Sequence, residues 1–438
     1  MEADKMLSIE NSELSTRERL SGGIMGFVVA DALGVPVEFK SREYLKNHKV
    51  TDMEGYGTYS QPKGTCSDDS SMVLATMDGL IKSKNDIDYQ LIMDNFLAWM
   101  QNGDYTPFNY VFDIGISTSE ALNKYQQNKN DGHPEDIICG SVDINSNGNG
   151  SLMRILPIAI YLHLNGFNYA DNEYTDIIRN MSGMTHSHSY SVSGCYIYSV
   201  FVAELLKRKD KTLAYDSLKK IFSREEQKEL MKYRGFDFKV YSRIFENDIF
   251  KLEENEIKSS GYVVDSLEAA MWCLLTTDNY KDAVLKAINL GGDTDTIGAI
   301  TGGLAGILYG HDMIPKNWIR DLQKADYIED LIGAFLGKYL MENRIDSRLI
   351  NEVIEGLKNK SDEKYFDLLK YLQENHLFNR NCLDDYKIID KKALEDLSLE
   401  EVITKISFIS RADRFTNSDI NHEEILKLVE MIKKYTSK

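Results

Sequence analysis

Cysteine is scarce in this chain of 438 residues, which has only five, and no two of them have the Cys-x-x-Cys spacing. They are Cys66, Cys139, Cys195, Cys273 and Cys382. An odd number of scattered cysteines supports neither a disulfide framework nor a zinc site. The polar N-terminal stretch also lacks the apolar core of a signal peptide. We therefore expect a cytoplasmic protein in a reducing environment.

Basic residues are too few to balance the acidic ones, since 51 Lys and Arg stand against 69 Asp and Glu, for a formal net charge of -18. This charge opposes non-specific binding to nucleic acid and to anionic membrane surfaces. The sequence has no run of eighteen or more apolar residues, which a membrane-spanning helix would need. We expect neither a membrane nor a nucleic-acid partner.

Proline, which interrupts helices, occurs only six times. Most apolar segments repeat every three or four residues, as in MVLATMDGLI and SLEAAMWCLL, and few alternate. This periodicity predicts an all-α protein. Two of the helices carry small residues at every fourth position, namely Gly22, Gly26, Ala30 and Gly34, and Gly298, Gly302, Gly306 and Gly310. Because glycine weakens a helix by up to ~1 kcal/mol relative to alanine, these rows predict close contact between helices.

Composition divides the chain into two predicted domains. Residues 1–345 contain the apolar helices and every chemical motif, while 346–438 are rich in Lys, Glu, Asp and Leu. We interpret 346–438 as a helical appendage of unknown role. Within the first domain, the highly charged residues 207–258 are typical of surface helices inserted over the core.

Two acidic clusters stand where a loop turns into an apolar helix, Ser67 to Ser70 and Gly291 to Thr296. Aspartate at such a place is commonly a helix cap. Two clusters with paired carboxylates and neighbouring hydroxyls instead favour a metal site, if they meet in space. An oxygen-rich cage without Cys or His suits one or two hard cations such as Mg²⁺.

A Gly/Asn-rich stretch resembles a calcium loop at first sight, because Asp143, Asn145, Asn147 and Gly148 match positions of an EF-hand. Its twelfth position is Arg154, where calcium needs a bidentate glutamate, so we reject the EF-hand. The stretch can instead present backbone amides to a phosphate or a sugar. A plain surface turn explains it equally well.

Three single residues have ordinary explanations when they are taken alone. Glu38 follows a helix broken by Gly34 and Pro36, and fits an exposed loop residue. Asp113 fits an N-cap, and His186 fits a hydrogen-bonded polar residue. No serine nucleophile elbow, Walker loop or HExxH motif is present.

Taken in order, these elements resemble the ADP-ribosylglycohydrolase family, and in particular the dinitrogenase reductase-activating glycohydrolase type. The matching blocks are GIMGFVVADALGVPVEF at 23–39, GTCSDDSSM at 64–72, SNGNGSLMRILP at 146–157, Thr185-His186 and GGDTDTIG at 291–298. They span about residues 20–340. Departures from the family pattern are Ala30 and Asn145 in place of glycines, and Ser67 and Ser70 in place of threonines.

The resemblance implies a compact multi-helix fold with a binuclear Mg²⁺ centre, or Mn²⁺ in its place. The metal ligands it implies are Ser67, Asp68, Asp69, Asp293, Asp295 and Thr296. The substrate-binding residues it implies are Gly115, Ser146, Asn147, Gly148, Asn149 and His186. Glu38 is the first candidate for the catalytic acid or base. Asp113 is the second candidate, or it holds a target guanidinium.

The implied reaction is hydrolysis of the glycosidic bond at the distal ribose, which frees ADP-ribose from mono-ADP-ribosylated protein, with arginine as the expected linkage. One alternative is a non-catalytic ADP-ribose-binding regulator. Others are a hydrolase of serine-, polymer- or nucleobase-linked ADP-ribose, and a metal-dependent phosphoesterase that would release AMP.

Overall fold

The fold is built from helices, which confirms the all-α prediction. The computed structural model describes residues 14–84, 86–224, 231–340, 345, 347–359, 363–374, 389, 392–416 and 422–436. The protein is 68% helical, and the described residues contain no β-strand. Pairing of extended backbone is limited there to three isolated bridges.

The α-helices follow one another along the chain, and the long connections between them, such as 48–67 and 131–155, carry several of the predicted site residues. Up to residue 223 they are α1 Thr16–Gly34, α2 Arg42–Asn47, α3 Asp68–Lys82, α4 Tyr89–Asn102, α5 Ile116–Asn130, α6 Leu156–Leu164, α7 Asn172–Gly183, α8 Ser189–Arg208 and α9 Lys211–Ser223. Beyond it they are α10 Ser242–Glu246, α11 Val263–Leu275, α12 Tyr280–Ile288, α13 Thr294–Tyr309, α14 Lys316–Asp321, α15 Ala325–Tyr339, α16 Ser347–Lys358, α17 Glu363–Glu374, α18 Leu399–Thr416 and α19 His422–Thr436.

Two compact units share these helices. Unit 1 comprises Met1–Ile160 and Thr175–Leu336, and unit 2 comprises Tyr161–Tyr174 and Gly337–Lys438. Every predicted site residue lies in unit 1. Unit 2 has an apolar core of its own, to which α16, α18 and α19 contribute Val353, Val402 and Leu428. The predicted boundary between 345 and 346 stays a prediction.

Helices α1 and α13 meet along their glycine rows, as the sequence predicts. A Cβ atom added to Gly302 would lie 2.3 Å from the carbonyl oxygen of Gly26, and one added to Gly306 would lie 1.9 Å from that of Gly22. The backbones therefore touch where side chains would otherwise separate them. Gly310 follows the end of α13 with a φ of 84°, and its backbone still closes on α1, because a Cβ on Gly22 would lie 2.6 Å from the Gly310 carbonyl carbon.

Protein covers the whole apolar surface of α1. Thr16–Val37 is long and apolar enough to cross a membrane by length and composition, yet 89% of its apolar window is buried inside the fold. The helix begins at a capping box between Ser15 and Glu18. It continues into a short 3-10 turn, Val35–Val37, after which Glu38 follows. This helix is accordingly part of the core and ends at the predicted site.

The charged segment 207–258 is only partly helical, and residues 225–230 lie outside the described part. Helix α9 buries one face, including Tyr215, Leu218 and Phe222. Short 3-10 turns at Ile249–Lys251 and Glu254–Glu256 replace the predicted surface helices towards its end.

Substituting Gly302 by alanine should disrupt the contact between α1 and α13, because its methyl group would overlap the backbone of Gly26. We expect a loss of about 1–3 kcal/mol in the free energy of unfolding, measured by urea denaturation. The matched control is Gly333→Ala in α15, where an added Cβ meets nothing within 4 Å. The control should be neutral or more stable by up to ~1 kcal/mol. Equal denaturation midpoints for Gly302→Ala and the wild type would contradict the packing argument.

Candidate active site

A buried aspartate in α1 holds the first acidic cluster in place. Asp31 accepts hydrogen bonds from the backbone amides of Ser67 at 3.0 Å and Ser70 at 3.1 Å, and from the Ser70 hydroxyl at 2.5 Å. Burial raises the pKa of Asp31 to about 6. The sequence prediction did not include Asp31 in the site. The available signal was an ionisable residue inside an otherwise apolar helical stretch.

Capping does not explain the two acidic clusters. At the start of α3 the cap is the Ser67 hydroxyl, which accepts a hydrogen bond from the amide of Asp69 at 3.3 Å. At the start of α13, Asp293 occupies the N-cap position but makes no capping hydrogen bond. The carboxylates are therefore available for other partners.

The two clusters meet in space. Asp69 Oδ2 accepts hydrogen bonds from the Ser67 hydroxyl at 3.1 Å and from the Thr296 hydroxyl of the other cluster at 3.2 Å. Asp31, Asp69 and Asp295 each place a carboxylate oxygen within 4.8 Å of the other two. Asp295 also belongs to a second group, with Glu38 and Asp113. In this group, too, each residue places a carboxylate oxygen within 4.8 Å of the other two.

This crowding of acids is electrostatically unfavourable without positive charge. Burial, followed by repulsion from the neighbouring carboxylates, raises the pKa values of Asp68, Asp69 and Asp295 well above the ordinary range. No described lysine or arginine forms an ion pair with them. Asp69 Oδ1 and Glu38 Oε2 are buried without any hydrogen-bond partner. Oxygen ligands that lack a partner fit a hard divalent cation.

Glu38 is buried, so its interpretation as an exposed loop residue was wrong. Only 6% of it is exposed. Burial, with repulsion from Asp113 and Asp293, raises its pKa to about 8. The backbone beside it is tied to the second cluster, because the Phe39 amide donates to the Gly292 carbonyl at 2.7 Å.

A tyrosine that the sequence prediction missed lies between the two candidate catalytic carboxylates. Burial, with Glu38 and Asp113 close by, raises the pKa of the Tyr59 hydroxyl above its usual range. The Thr58 hydroxyl donates to the Glu38 carbonyl at 2.8 Å and so fixes the same turn. A single tyrosine in a loop carries no sequence signal of this role.

Asp113 and Gly115 precede α5, and Gly115, rather than Asp113, is its N-cap. The N-cap explanation of Asp113 was therefore wrong. Burial raises the pKa of Asp113. Gly115 is exposed. In the first turn of α5, the Thr118 hydroxyl lies against the 146–150 loop, 2.9 Å from where a Cβ on Gly150 would stand.

The 146–149 loop is fastened to the second acidic cluster, so it is not a plain surface turn. Asn149 Nδ2 donates to Asp293 Oδ2 at 2.6 Å and to the Ser266 hydroxyl at 2.9 Å. Asn147 is also buried, and its carbonyl accepts from the Val263 amide at 3.0 Å. Ser146 and Gly148 are half-buried.

A segment missing from the sequence prediction, 259–262, joins this loop to the acidic cluster. The Ser259 carbonyl accepts from the Asp293 amide at 3.0 Å, and the Gly261 carbonyl accepts from the Asn149 amide at 3.0 Å. Its residues have no distinctive chemistry, so only the fold identifies them as part of the site.

His186 lies behind the loop and is 2% exposed. Its Nδ1 is 2.9 Å from the Thr185 hydroxyl, which agrees with the hydrogen-bonded interpretation. Burial, with repulsion from Arg154, lowers its pKa to about 3. The ring is therefore neutral at physiological pH. Its predicted contact with substrate stays a prediction.

Comparison with known proteins identifies relatives over the same part of the chain. A family model described as ADP-ribosylglycohydrolase matches residues 12–345. The ADP-ribosylarginine hydrolase Tri1 of Serratia proteamaculans is 30% identical over 320 residues, which cover 73% of this chain and 79% of that protein. The ADP-ribosyl-[dinitrogen reductase] glycohydrolase of Rhodospirillum rubrum is 27% identical over 70% of this chain and 91% of its own length. A solved ADP-ribosylglycohydrolase-related protein complex shares the fold, with a TM-score of 0.56 and 26% identity over 73% of this chain and 97% of that one.

Substituting Ser70 by alanine tests the role of Asp31 as the anchor of the first cluster. It removes the hydroxyl that donates to Asp31 Oδ2. Hydrogen bonds to charged groups contribute more than neutral ones, so we expect a loss of about 2 kcal/mol in unfolding free energy. The control is Ser71→Ala, whose hydroxyl donates to the Ser67 carbonyl within the same turn and should contribute about 1 kcal/mol. A smaller effect of Ser70→Ala than of Ser71→Ala in urea denaturation would refute the anchor.

Proposed function

Because this chain belongs to the ADP-ribosylglycohydrolase family of glycosidic-bond hydrolases, we propose that it removes ADP-ribose from mono-ADP-ribosylated protein, at arginine, in a Mg²⁺-dependent reaction. The observation that carries this proposal is the convergence of buried carboxylates from three segments of unit 1. Two of their oxygens lack any partner, on Asp69 and Glu38. Such a site suits a cation and a sugar together.

The cation would be held by the oxygen ligands of the two clusters. We retain Ser67, Asp68, Asp69, Asp293, Asp295 and Thr296 as its proposed ligands. Asp31 is not a proposed ligand, because its carboxylate already accepts hydrogen bonds from three donors. Two cations, Mg²⁺ or Mn²⁺, are proposed because the resemblance to the family implies a binuclear centre. When bound, such cations orient ribose hydroxyls and polarise the sugar.

Glu38 is the proposed acid or base. Hydrolysis breaks the bond between the ribose C1 and the leaving nitrogen, adds a water hydroxyl to C1 and delivers a proton to the nitrogen. Glu38 has a free Oε2, and burial raises its pKa to about 8, so it can hold a proton near neutral pH. Tyr59, whose pKa is raised by burial and by the nearby Glu38 and Asp113, is proposed to orient this carboxyl group.

Arginine is the proposed linkage for two reasons. The relative in Serratia proteamaculans is named an ADP-ribosylarginine hydrolase. Asp113 also places a partly buried carboxylate beside Glu38, where it can pair with a guanidinium group.

We also propose a cytoplasmic location. Cys66, Cys139, Cys195 and Cys273 are buried and unpaired, as expected of thiols in a reducing compartment. Cys382 lies outside the described residues.

A panel of defined substrates tests the linkage. Purified protein with Mg²⁺ should release ADP-ribose from arginine-linked substrate faster than from serine-, polymer- or nucleobase-linked substrates, as followed by chromatography of the products. Removal of divalent cations with a chelator should abolish release, and Mg²⁺ should restore it. Preference for another linkage would replace the arginine assignment. Release of AMP would indicate a phosphoesterase, and tight ADP-ribose binding without release would indicate a regulator.

Paired variants separate the proton-transfer group from the metal ligands. Asp295→Asn should abolish turnover and also remove the rise in unfolding temperature that Mg²⁺ produces in the wild type. Glu38→Gln should lower kcat by about 10²–10⁴-fold while it keeps that thermal response. The control is Glu54→Gln, on the surface. A thermal response in Asp295→Asn equal to that of the wild type would remove the metal assignment, and wild-type kcat in Glu38→Gln would remove the acid or base.

A further inference from the structure

Three buried polar residues, Arg154, Thr185 and His186, form a hydrogen-bonded row behind the 146–150 loop. The proposed reaction gives no role to Arg154 or Thr185. Arg154 Nη2 lies 2.8 Å from Thr185 Oγ1, and that hydroxyl lies 2.9 Å from His186 Nδ1. Both Arg154 and Thr185 have no exposed surface. The row therefore runs from a fully buried cation to an imidazole beside the loop.

The direction of each hydrogen bond in this row follows from the chemistry of its members. A guanidinium group only donates, so Arg154 donates to Thr185 Oγ1. The Thr185 hydroxyl has one proton to donate, and within the described residues His186 Nδ1 is the only acceptor near it. With a proton on Nδ1 instead, the Thr185 proton would be buried without a partner, which is unfavourable.

We propose that Arg154 and Thr185 are positioning residues that keep the His186 proton on Nε2, where the N–H donates to an oxygen of the bound ligand. The identity of that ligand as ADP-ribose rests on the proposed function. The tautomer itself does not depend on it. The donor would be neutral, because burial and the charge of Arg154 disfavour a second proton on the ring.

The surroundings of Nε2 support this role. No described residue accepts a hydrogen bond from it. It faces the loop at two glycines, since a Cβ on Gly148 would lie 3.6 Å from Nε2 and one on Gly150 would lie 3.3 Å from it. A side chain at either position would stand between the imidazole and a ligand. The two glycines thus leave the N–H open towards the loop.

Arg154 is itself held in one orientation. It stacks over the Phe96 ring, with the guanidinium carbon 4.8 Å from the ring centroid, and its Nη2 also donates to the Met181 carbonyl at 2.8 Å. These contacts, together with complete burial, hold Nη2 of the guanidinium group against Thr185. The hydroxyl is therefore committed to His186.

Nuclear magnetic resonance of protein labelled with ¹⁵N-histidine tests the tautomer. The ring nitrogens of His186, assigned by loss of their signals in His186→Gln, should show a protonated Nε2 and an unprotonated Nδ1. Thr185→Val removes the hydroxyl at nearly constant volume and should give a mixture of tautomers. Thr185→Ser keeps the hydroxyl and should give the wild-type pattern. A protonated Nδ1 in the wild type, or an unchanged pattern in Thr185→Val, would overturn the proposal.

Calorimetric titration with ADP-ribose in the presence of Mg²⁺ tests the ligand contact. Glutamine can place an amide N–H near the position of Nε2, whereas asparagine can reach only the position of Nδ1. His186→Gln should keep most of the affinity, and His186→Asn should lose about tenfold. Thr185→Val should lose a similar factor, and Thr185→Ser should recover it. Equal affinities within either pair would overturn the proposed contact.

The two experiments separate this proposal from the proposed function. If the wild type neither binds ADP-ribose nor releases it from any substrate, but its His186 shows a protonated Nε2, the proposed function is wrong and the tautomer assignment stands. If the protein binds ADP-ribose and releases it from a modified protein by hydrolysis, but His186 carries its proton on Nδ1, the proposed function stands and the positioning role is wrong.

Discussion

The rest of unit 1 depends on the direct contact between the backbones of α1 and α13. Their glycine rows remove the side chains that would hold the helices apart, so Gly26 and Gly302 touch. The contact continues to the site, where a Cβ on Gly34 would lie 2.4 Å from Asp295 Cα. Helix α1 thus ends beside the start of α13, and this brings Glu38 next to the second acidic cluster. The loss of stability that glycine causes within each helix is offset by this burial.

The site that the contact between α1 and α13 supports has two ends with different electrostatic environments. At one end, carboxylates crowd together without a basic side chain among the described residues, and burial raises their pKa values. At the other end, the 146–149 loop and His186 offer neutral donors. Asn149 connects the two ends through its hydrogen bond to Asp293. In our proposals, the acidic end holds the cation, and His186 at the neutral end donates a hydrogen bond to an oxygen of the bound ligand.

Sequence patterns predicted the helices and the close helix contact at the glycine rows, because each of these has a local signature. They also identified the two acidic clusters, but the meeting of those clusters was a condition that only the fold could fulfil. Sequence patterns failed to predict which residues are buried. Glu38 and Asn147 were open to interpretation as exposed loop residues, yet both are buried. Asp31 was missed because its partners, Ser67 and Ser70, lie more than thirty residues away. Tyr59 and the 259–262 segment belong to the site only through the neighbours that folding brings to them.

By itself, the sequence determined the helical class, through apolar periodicity and rare proline, and the chemical character of the site, through its paired aspartates and neighbouring hydroxyls. These properties reside in residue type and short spacing, which do not change on folding. The tertiary structure alone decided which carboxylates share one buried volume, which oxygens are left without partners, and which hydrogen-bond partner Thr185 has. Such properties depend on distances between residues that are remote in the chain, and only the packed fold sets those distances.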